Sequence, residues 1–343
     1  MVMKAEKRKV QLTGGSTYTI SLPIKWAREA EVKQGDELLL VQQRDSSLLI
    51  TPVREGEERV RYAELTLSES EQFEDHFRYL IAHYLVGYDV VKLLSPGGFE
   101  AEARKRIKAE VRKRLIGMEV VGESSKEIVL KSFLKYEDFT LRDAIQSMSK
   151  IIIAMLEDAI LALELGDKNR ARDVIERDNE IDRFYLLLVR QLKATVSDHE
   201  LAKKIEMSGQ RDSLGYRIVV KNMERMGDHV ERIAKHALMM SAPVCVENIR
   251  ESGTSTKLLF LKTLDSLRKR DVKMANEAIR DANQLIDRVN EINERTLAEE
   301  LSVTDKIHAF AIIESLGKIA KYCEDIAEIT INLGIEAPGE ETW

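Results

Sequence analysis

From about residue 138 to residue 335 the apolar residues recur with a helical period and never leave it. A stretch of that length can bury its stripes only by packing helix on helix, so over half of the chain is committed to helical bundles. The period places helices over 140–165, 169–195, 198–241 with a break near Ser208-Gly209, 254–269, 271–298 and 302–333. APVCVENIRESG, 242–253, reads as a seam, which makes two successive three-helix units the simplest architecture. The two halves echo each other. NEIDRFY at 179–185 resembles QLIDRVN at 284–290, and RMGDHVERIAKHA at 225–237 resembles KIAKYCEDIAEIT at 318–330. A repeated packing unit accounts for both echoes without any chemistry. The longest apolar run, IIIAML at 151–156, has charges on both sides and reads as buried helix.

The most pointed polar cluster in these helices is ERDNEID, 176–182, with GDHVE, 227–231. At 100 degrees per residue, Val174, Ile181, Tyr185, Leu188 and Leu192 make one apolar stripe. Asp178 and Asp182 lie beside it, one turn apart on the same flank. Like charges at that spacing repel unless a cation, a proton or a basic partner offsets them. Carboxylates in such a pair can offer oxygen ligands to a hard cation or to iron, with a third acid from another helix. In the later helix Met223, Met226, Val230, Ile233 and Ala237 form the stripe, Asp228 lies roughly opposite it, and His229 and Glu231 fall on other faces. The competing reading is ordinary: 33% of the residues are charged, and paired acids on a helix are commonly solvated or bound to lysine and arginine. No nucleophile or enclosed polar pocket accompanies the acids, so no enzyme is indicated. His229 and His236, seven apart, share a face, which on its own implies no ligand pair.

The first fifty residues obey a different pattern. RKVQLT and STYTISLP alternate weakly with period two, Pro23 precedes the helix candidate IKWAREAEV, and ELLLVQQ, RDSS and LLITPV read as a hairpin. So small a unit often needs a partner chain to complete its core. GGSTYT is no Walker loop, because the lysine-hydroxyl ending and the long following helix are absent. Gly14 and Gly15 instead suit a tight turn or bulge, where φ is positive. Thr17, Thr19 and Ser21 then share one strand face and Tyr18, Ile20 and Leu22 the other. Residues 1–28 hold six lysines and arginines against Glu6 alone. Such side chains can contact DNA phosphates or base edges, although a solvated basic end fits as well.

Residues 60–135 read as a small α/β connector. RYAELTL is strand-like, the segment from 68 to 94 is a helix or broken helix stopped by Ser-Pro-Gly-Gly at 95–98, and two strands surround a polar turn in MEVVGESSKEIVLKSFL. Between them EAEARKRIKAEVRKRLIG is amphipathic, with Ala103, Ile107, Val111 and Leu115 spaced by four. Its cations could extend a DNA surface or face a transporter, but a solvated helix is the plainer account, and it lacks aromatic membrane anchors. The whole chain is mildly acidic, with net charge −6. Two cysteines, Cys245 and Cys323, make no disulfide scaffold, which fits a reducing cytoplasm. No apolar leader opens the chain and no long apolar run occurs, so neither secretion nor membrane insertion is expected.

Residues 138–335 resemble the tandem three-helix-bundle PhoU family, regulators associated with phosphate uptake. VIERDNEIDRFY and NMERMGDHVERIAKHA carry the likeness in the first repeat, NQLIDRVNEIN and LGKIAKYCEDIAEITINL in the second. The resemblance implies a possible iron or other divalent metal in the first repeat, at Asp178, Asp182 and Asp228. It also marks departures. Arg232 replaces a family asparagine, and the second repeat has Asn283, Asp287 and Lys321 at the acidic positions, where a lysine weakens cation binding. KVQLTGGSTYTISLPIKWAREAEVKQGDELLLV, 9–41, resembles an AbrB/SpoVT-type swapped-hairpin DNA-binding module, in the form fused to PhoU-like bundles in archaea. That resemblance implies a homodimer with DNA contacts from Arg8, Lys9, Lys25 and Arg28, supported by Thr13, Thr17 and Thr19.

The expected fold is multidomain and mainly α. It comprises a swapped-hairpin β module at 1–55, an α/β connector at 56–137, three-helix bundles at 138–244 and 245–335, and a tail at 336–343. The expected function is a cytoplasmic DNA-binding transcriptional regulator of phosphate uptake or homeostasis, with bundles that receive a metal, phosphate-related or protein signal. The alternative is a PhoU-like regulator of a phosphate transporter or signalling kinase through protein contacts alone. A metal-dependent enzyme is the third and weakest reading.

Overall fold

The computed structural model describes residues 5–42, 47–53, 60–68, 70–136, 139–197, 199–205, 207 and 211–335. The expected boundaries at 55/56 and 137/138, the break at Ser208-Gly209 and the tail 336–343 lie outside the described residues. Two compact units are present, an N-terminal one and a second spanning Val60–Ile335.

In the N-terminal unit β1 (Gln11–Thr13) and β2 (Thr17–Thr19) pair antiparallel, with Leu12 opposite Tyr18. Gly14 and Gly15 connect them at φ 64° and 79°, values that L side chains rarely adopt. Pro23 then opens α1 (Ile24–Glu29), its carbonyl accepting the Ala27 N–H at 3.0 Å. A turn follows in which Asp36 accepts the Lys33 N–H at 2.8 Å. It leads into the antiparallel pair β3 (Leu38–Gln42) and β4 (Leu48–Pro52). Strands β1 and β2 are shorter than their alternating sequence suggests, because a strand extends only as far as it finds a ladder partner. None of the described residues from 5 to 53 is buried, and Leu12, Tyr18, Ile20 and Leu40 are each more than half exposed.

The second unit begins with an α/β layer: β5 (Tyr62–Thr66), α2 (Phe73–Val86), β6 (Val90–Leu94), α3 (Ala101–Arg114), β7 (Met118–Glu123) and β8 (Glu127–Ser132). Its sheet order is β5-β6-β8-β7, with β5 and β6 parallel and the other pairs antiparallel. The helical reading of 68–94 is corrected here. The helix ends at Gly87, left-handed at φ 102°, and Val90–Leu94 becomes a strand between β5 and β8. Val91 and Leu93 point into the core while their neighbours stay half-buried, an alternation the preceding helical period obscures. On α3 the stripe Ile107, Val111 and Leu115 is buried, as its spacing predicts.

The helices α4 (Leu141–Leu165), α5 (Lys168–Ser197), α6 (His199–Lys204), α7 (Asp212–Met239), α8 (Val246–Lys269), α9 (Val272–Ala298) and α10 (Val303–Gly334) make up the remainder. Their ends obey local chemistry: Thr140 and Asp143 form a capping box on α4, Asp271 caps α9 and Ser302 caps α10. The stripes land where the period puts them, with Val174, Ile181, Leu188, Met223, Met226, Val230 and Ile233 all at 0% exposure. Helix α8 starts at Val246 rather than 254, so most of the expected seam is helix and only a short link follows α7. One continuous apolar core joins both groups of three helices.

Arg190, on α5, fastens the α/β layer to the bundle. Its guanidinium is 1% exposed and donates to the carbonyls of Tyr84 and Tyr88, lies 3.5 Å from Asp89, and stacks 4.8 Å from the Tyr84 ring centre. Removing the guanidinium from such a buried network takes a donor from each of its acceptors and leaves the Asp89 carboxylate without its buried counter-charge. Arg190→Met is expected to cost about 3–5 kcal/mol in urea unfolding. Arg190→Lys should recover only part, since an ammonium lacks the planar fork. Wild-type stability in Arg190→Met would refute this role.

Candidate functional site

The acids of the first repeat meet where α5 crosses α7. Gly227 permits the crossing. A Cβ there would stand 2.9 Å from Ile181 Cγ2 and 3.1 Å from Asp178 Oδ1. Asp178 is half-buried, and Asp182 and Asp228 are open to solvent on one side. Burial pushes Asp178 up to about 7, with Asp182, Asp228, Glu231 and Glu224 adding repulsion. Partial desolvation, then Glu224 and Asp182, raise Asp228 to about 6. Asp182 is also raised, by desolvation and Glu224, against the opposing charges of Arg114 and Lys221.

The structure therefore brings Asp178, Asp182 and Asp228 into one electrostatic neighbourhood and adds two acids that the sequence reading leaves aside. Glu224, Asp228 and Glu231 are spaced by four and three, so they share a face of α7. That spacing is a signal present in the sequence, and it corrects the placement of Glu231 on another face. Lys221 opposes the charge at Asp182 and Asp228, but it is bound to Glu224 at 2.5 Å. Among the described residues no three His, Cys, Asp or Glu side chains stand close enough to enclose an ion. The cluster is an open field of carboxylate oxygens whose charge is under-compensated. That donor set suits a hard cation or iron.

The second repeat differs. Asn283, Asp287 and Lys321 are exposed, and the Lys321 ammonium reaches Glu324 at 2.8 Å. An internal cation thus stands at the position corresponding to Asp228. The histidines also separate: His229 stacks beside Tyr322, and His236 meets His308.

In the N-terminal unit Arg8, Lys9, Lys25 and Arg28 are all exposed, with Lys25 and Arg28 one turn apart on α1. Arg8 is paired with Glu6. The strand register puts Thr13, Thr17 and Thr19 on one face, and the Thr13 and Thr19 hydroxyls lie 3.2 Å apart. On α3, Arg106 pairs with Glu74, Lys108 with Glu123, Arg112 with Glu119 and Arg114 with Glu110. Most of that basic run is therefore neutralised by its own layer.

Because Asp178 holds its proton more tightly folded than unfolded, its contribution is stabilising below about pH 4 and is lost as pH rises through about 7. In EDTA, Asp178→Asn is expected to raise the urea midpoint at pH 7.5 and leave it unchanged at pH 4. A lower midpoint at pH 7.5 would show that the carboxylate is instead compensated.

Comparison with known proteins gives two family matches: the PhoU domain at residues 145–237, and "Antidote-toxin recognition MazE, bacterial antitoxin" at residues 11–58. The phosphate-specific transport system accessory protein PhoU homolog of Borreliella burgdorferi is 25% identical over 104 residues, 30% of this chain and 44% of that protein. The match thus spans less than half the length of that relative. The homolog of Clostridium acetobutylicum is 23% identical over 199 residues, 56% of this chain and 87% of that protein. In fold, the chain is similar to the phosphate transport system regulatory protein PhoU from Streptococcus pneumoniae, with TM-score 0.50 and 19% identity over 56% of this chain and 92% of that one. The chain accordingly joins a PhoU domain, within a mainly helical bundle, to an N-terminal module of the MazE/AbrB type.

Proposed function

We propose that this chain is a cytoplasmic, dimeric, DNA-binding transcriptional regulator of phosphate uptake or homeostasis, whose bundles receive a metal, phosphate-related or protein signal. The observation that carries the reading is the N-terminal unit, in which nothing described is buried while apolar side chains and four cations lie open. A unit of that size without a core cannot stand alone, and a second copy interleaving its strands would supply one. The paired module then presents Arg8, Lys9, Lys25 and Arg28 from two chains to the phosphate backbone, with Thr13, Thr17 and Thr19 beside them. The connector at 56–137 and the bundles at 138–244 and 245–335 form the receiving part. An iron or other divalent cation at Asp178, Asp182 and Asp228 would have to draw those carboxylates closer together than they stand, with Glu224 and Glu231 adding to the negative field. The cation would supply the positive charge this cluster lacks. No catalytic step belongs to this reading.

A second reading, regulation of a phosphate transporter or signalling kinase through protein contacts alone, is favoured by the curated relatives, which are named as transport accessory proteins. Binding to promoter fragments near phosphate-transport genes separates the two. Affinity should fall steeply with salt, and Arg8→Ala with Lys9→Ala should flatten the log–log slope by roughly one for each phosphate no longer neutralised. Equal affinity for promoter and random DNA would reject operator recognition. A shift in operator affinity on adding phosphate, metal or a partner protein would identify the signal.

A further inference from the structure

The chain has six histidines, and two of them face each other across the halves of the bundle. His236, near the C-terminal end of α7, and His308, near the start of α10, approach Nδ1 to Nδ1 at 2.9 Å. Their ring centres are 5.2 Å apart with planes inclined at 52°, and both side chains are half-buried. His236 is about two turns beyond Asp228 along α7, outside the acid cluster. As the pair stands, one ring donates its Nδ1–H and the other accepts.

We infer that His236 and His308 form a two-nitrogen site for a divalent transition metal of tetragonal preference, copper(II) or nickel(II), which ties the first repeat to the second. The separation matches a cis pair of ligands, reached once each ring turns so that its Nδ1 lone pair leaves the Nδ1–Nδ1 line by about 45°. With metal–nitrogen bonds of about 2.0–2.1 Å, a 2.9 Å span subtends about 90° at the metal. A tetrahedral zinc site needs nitrogens roughly 3.4 Å apart. The ninety-degree angle is that of neighbouring positions in a square-planar or octahedral ion, and water completes the remaining positions. Protonation balances simply. The donor ring moves its proton from Nδ1 to Nε2 through water, which leaves a lone pair on each Nδ1 for the metal.

The surroundings permit a cation. Arg232, one turn before His236, reaches Glu314 at 3.4 Å, and Lys235 is occupied by Glu231 at 2.6 Å. Asp305, one turn before His308, keeps a negative charge nearby while accepting the Ser241 N–H at 3.1 Å and the Ser302 hydroxyl at 2.7 Å. The inference does not rest on the acid cluster or on DNA binding.

The test uses untagged full-length protein carrying Asp178→Asn, Asp182→Asn and Asp228→Asn, stripped with EDTA and then freed of it. Calorimetric titration with Ni2+ at pH 7.5 is expected to show one ion per chain. His236→Gln and His308→Gln should each weaken it more than about tenfold, as removal of one of two ligands requires. With Cu2+, the electron paramagnetic resonance spectrum should show splitting from two nitrogens in the parent and fewer in each variant. Melting in EDTA checks that the variants fold, and the parent spectrum decides the matter if they do not. No stoichiometric binding, unchanged affinity in both folded variants, or a parent spectrum with fewer than two nitrogens would overturn the assignment.

Discussion

A guanidinium with almost no access to water is the contact on which the second unit depends. Arg190 cannot be buried at tolerable cost unless its charge is met, and the carbonyls of Tyr84 and Tyr88 with the Asp89 carboxylate meet its two terminal nitrogens, while its Nε–H has no partner among the described residues. Those acceptors flank Gly87, the point where α2 stops and the path to β6 begins. The charge on α5 thereby fastens the segment between a helix end and a strand start in a different layer. Asp89 also reaches back to β5 by accepting the Arg61 N–H at 2.8 Å. One polar network therefore aligns bundle, helix and sheet.

Helix α5 carries the acids as well. Two turns before Arg190 it presents Asp182, and three turns before it Asp178, against the close approach of α7 at Gly227. The connector and the carboxylate cluster are consequently mounted on the same element. Arg114, at the end of α3, is among the charges that oppose the rise at Asp182, so the connector contributes directly to the field of the cluster. In the second repeat, Lys321 provides the opposing charge from within. The two groups of helices share one apolar core and differ in the charges they carry at these positions.

Much of this is legible in the sequence, and the failures have physical causes. Periodicity identifies the buried faces of α5 and α7 because each stripe must point at the same core for its whole length. It misses β6, since Val90–Leu94 follows a helix without a polar break and only pairing with β5 and β8 holds it extended. It starts α8 late, because Ser252 and Gly253 look like linker residues. In the fold both are buried, and a Cβ on Gly253 would stand 2.0 Å from Ile160 Cδ1, so no larger side chain fits there. Glu224 is legible from its spacing to Asp228. Its proximity to Asp182 on another helix is not.

What the amino-acid sequence determined by itself was local. It specified the helical period, the capping residues, the glycine turn at 14 and 15, and the basic bias of the first arm, since each depends on neighbours within a few positions. The tertiary structure alone decided which charges meet. Arg190 finds the end of α2, Asp178 finds Asp228, and His236 finds His308, separated by 106, 50 and 72 residues respectively. Coulomb energy and coordination depend on distances of a few ångströms, and only the packing of helices fixes those distances.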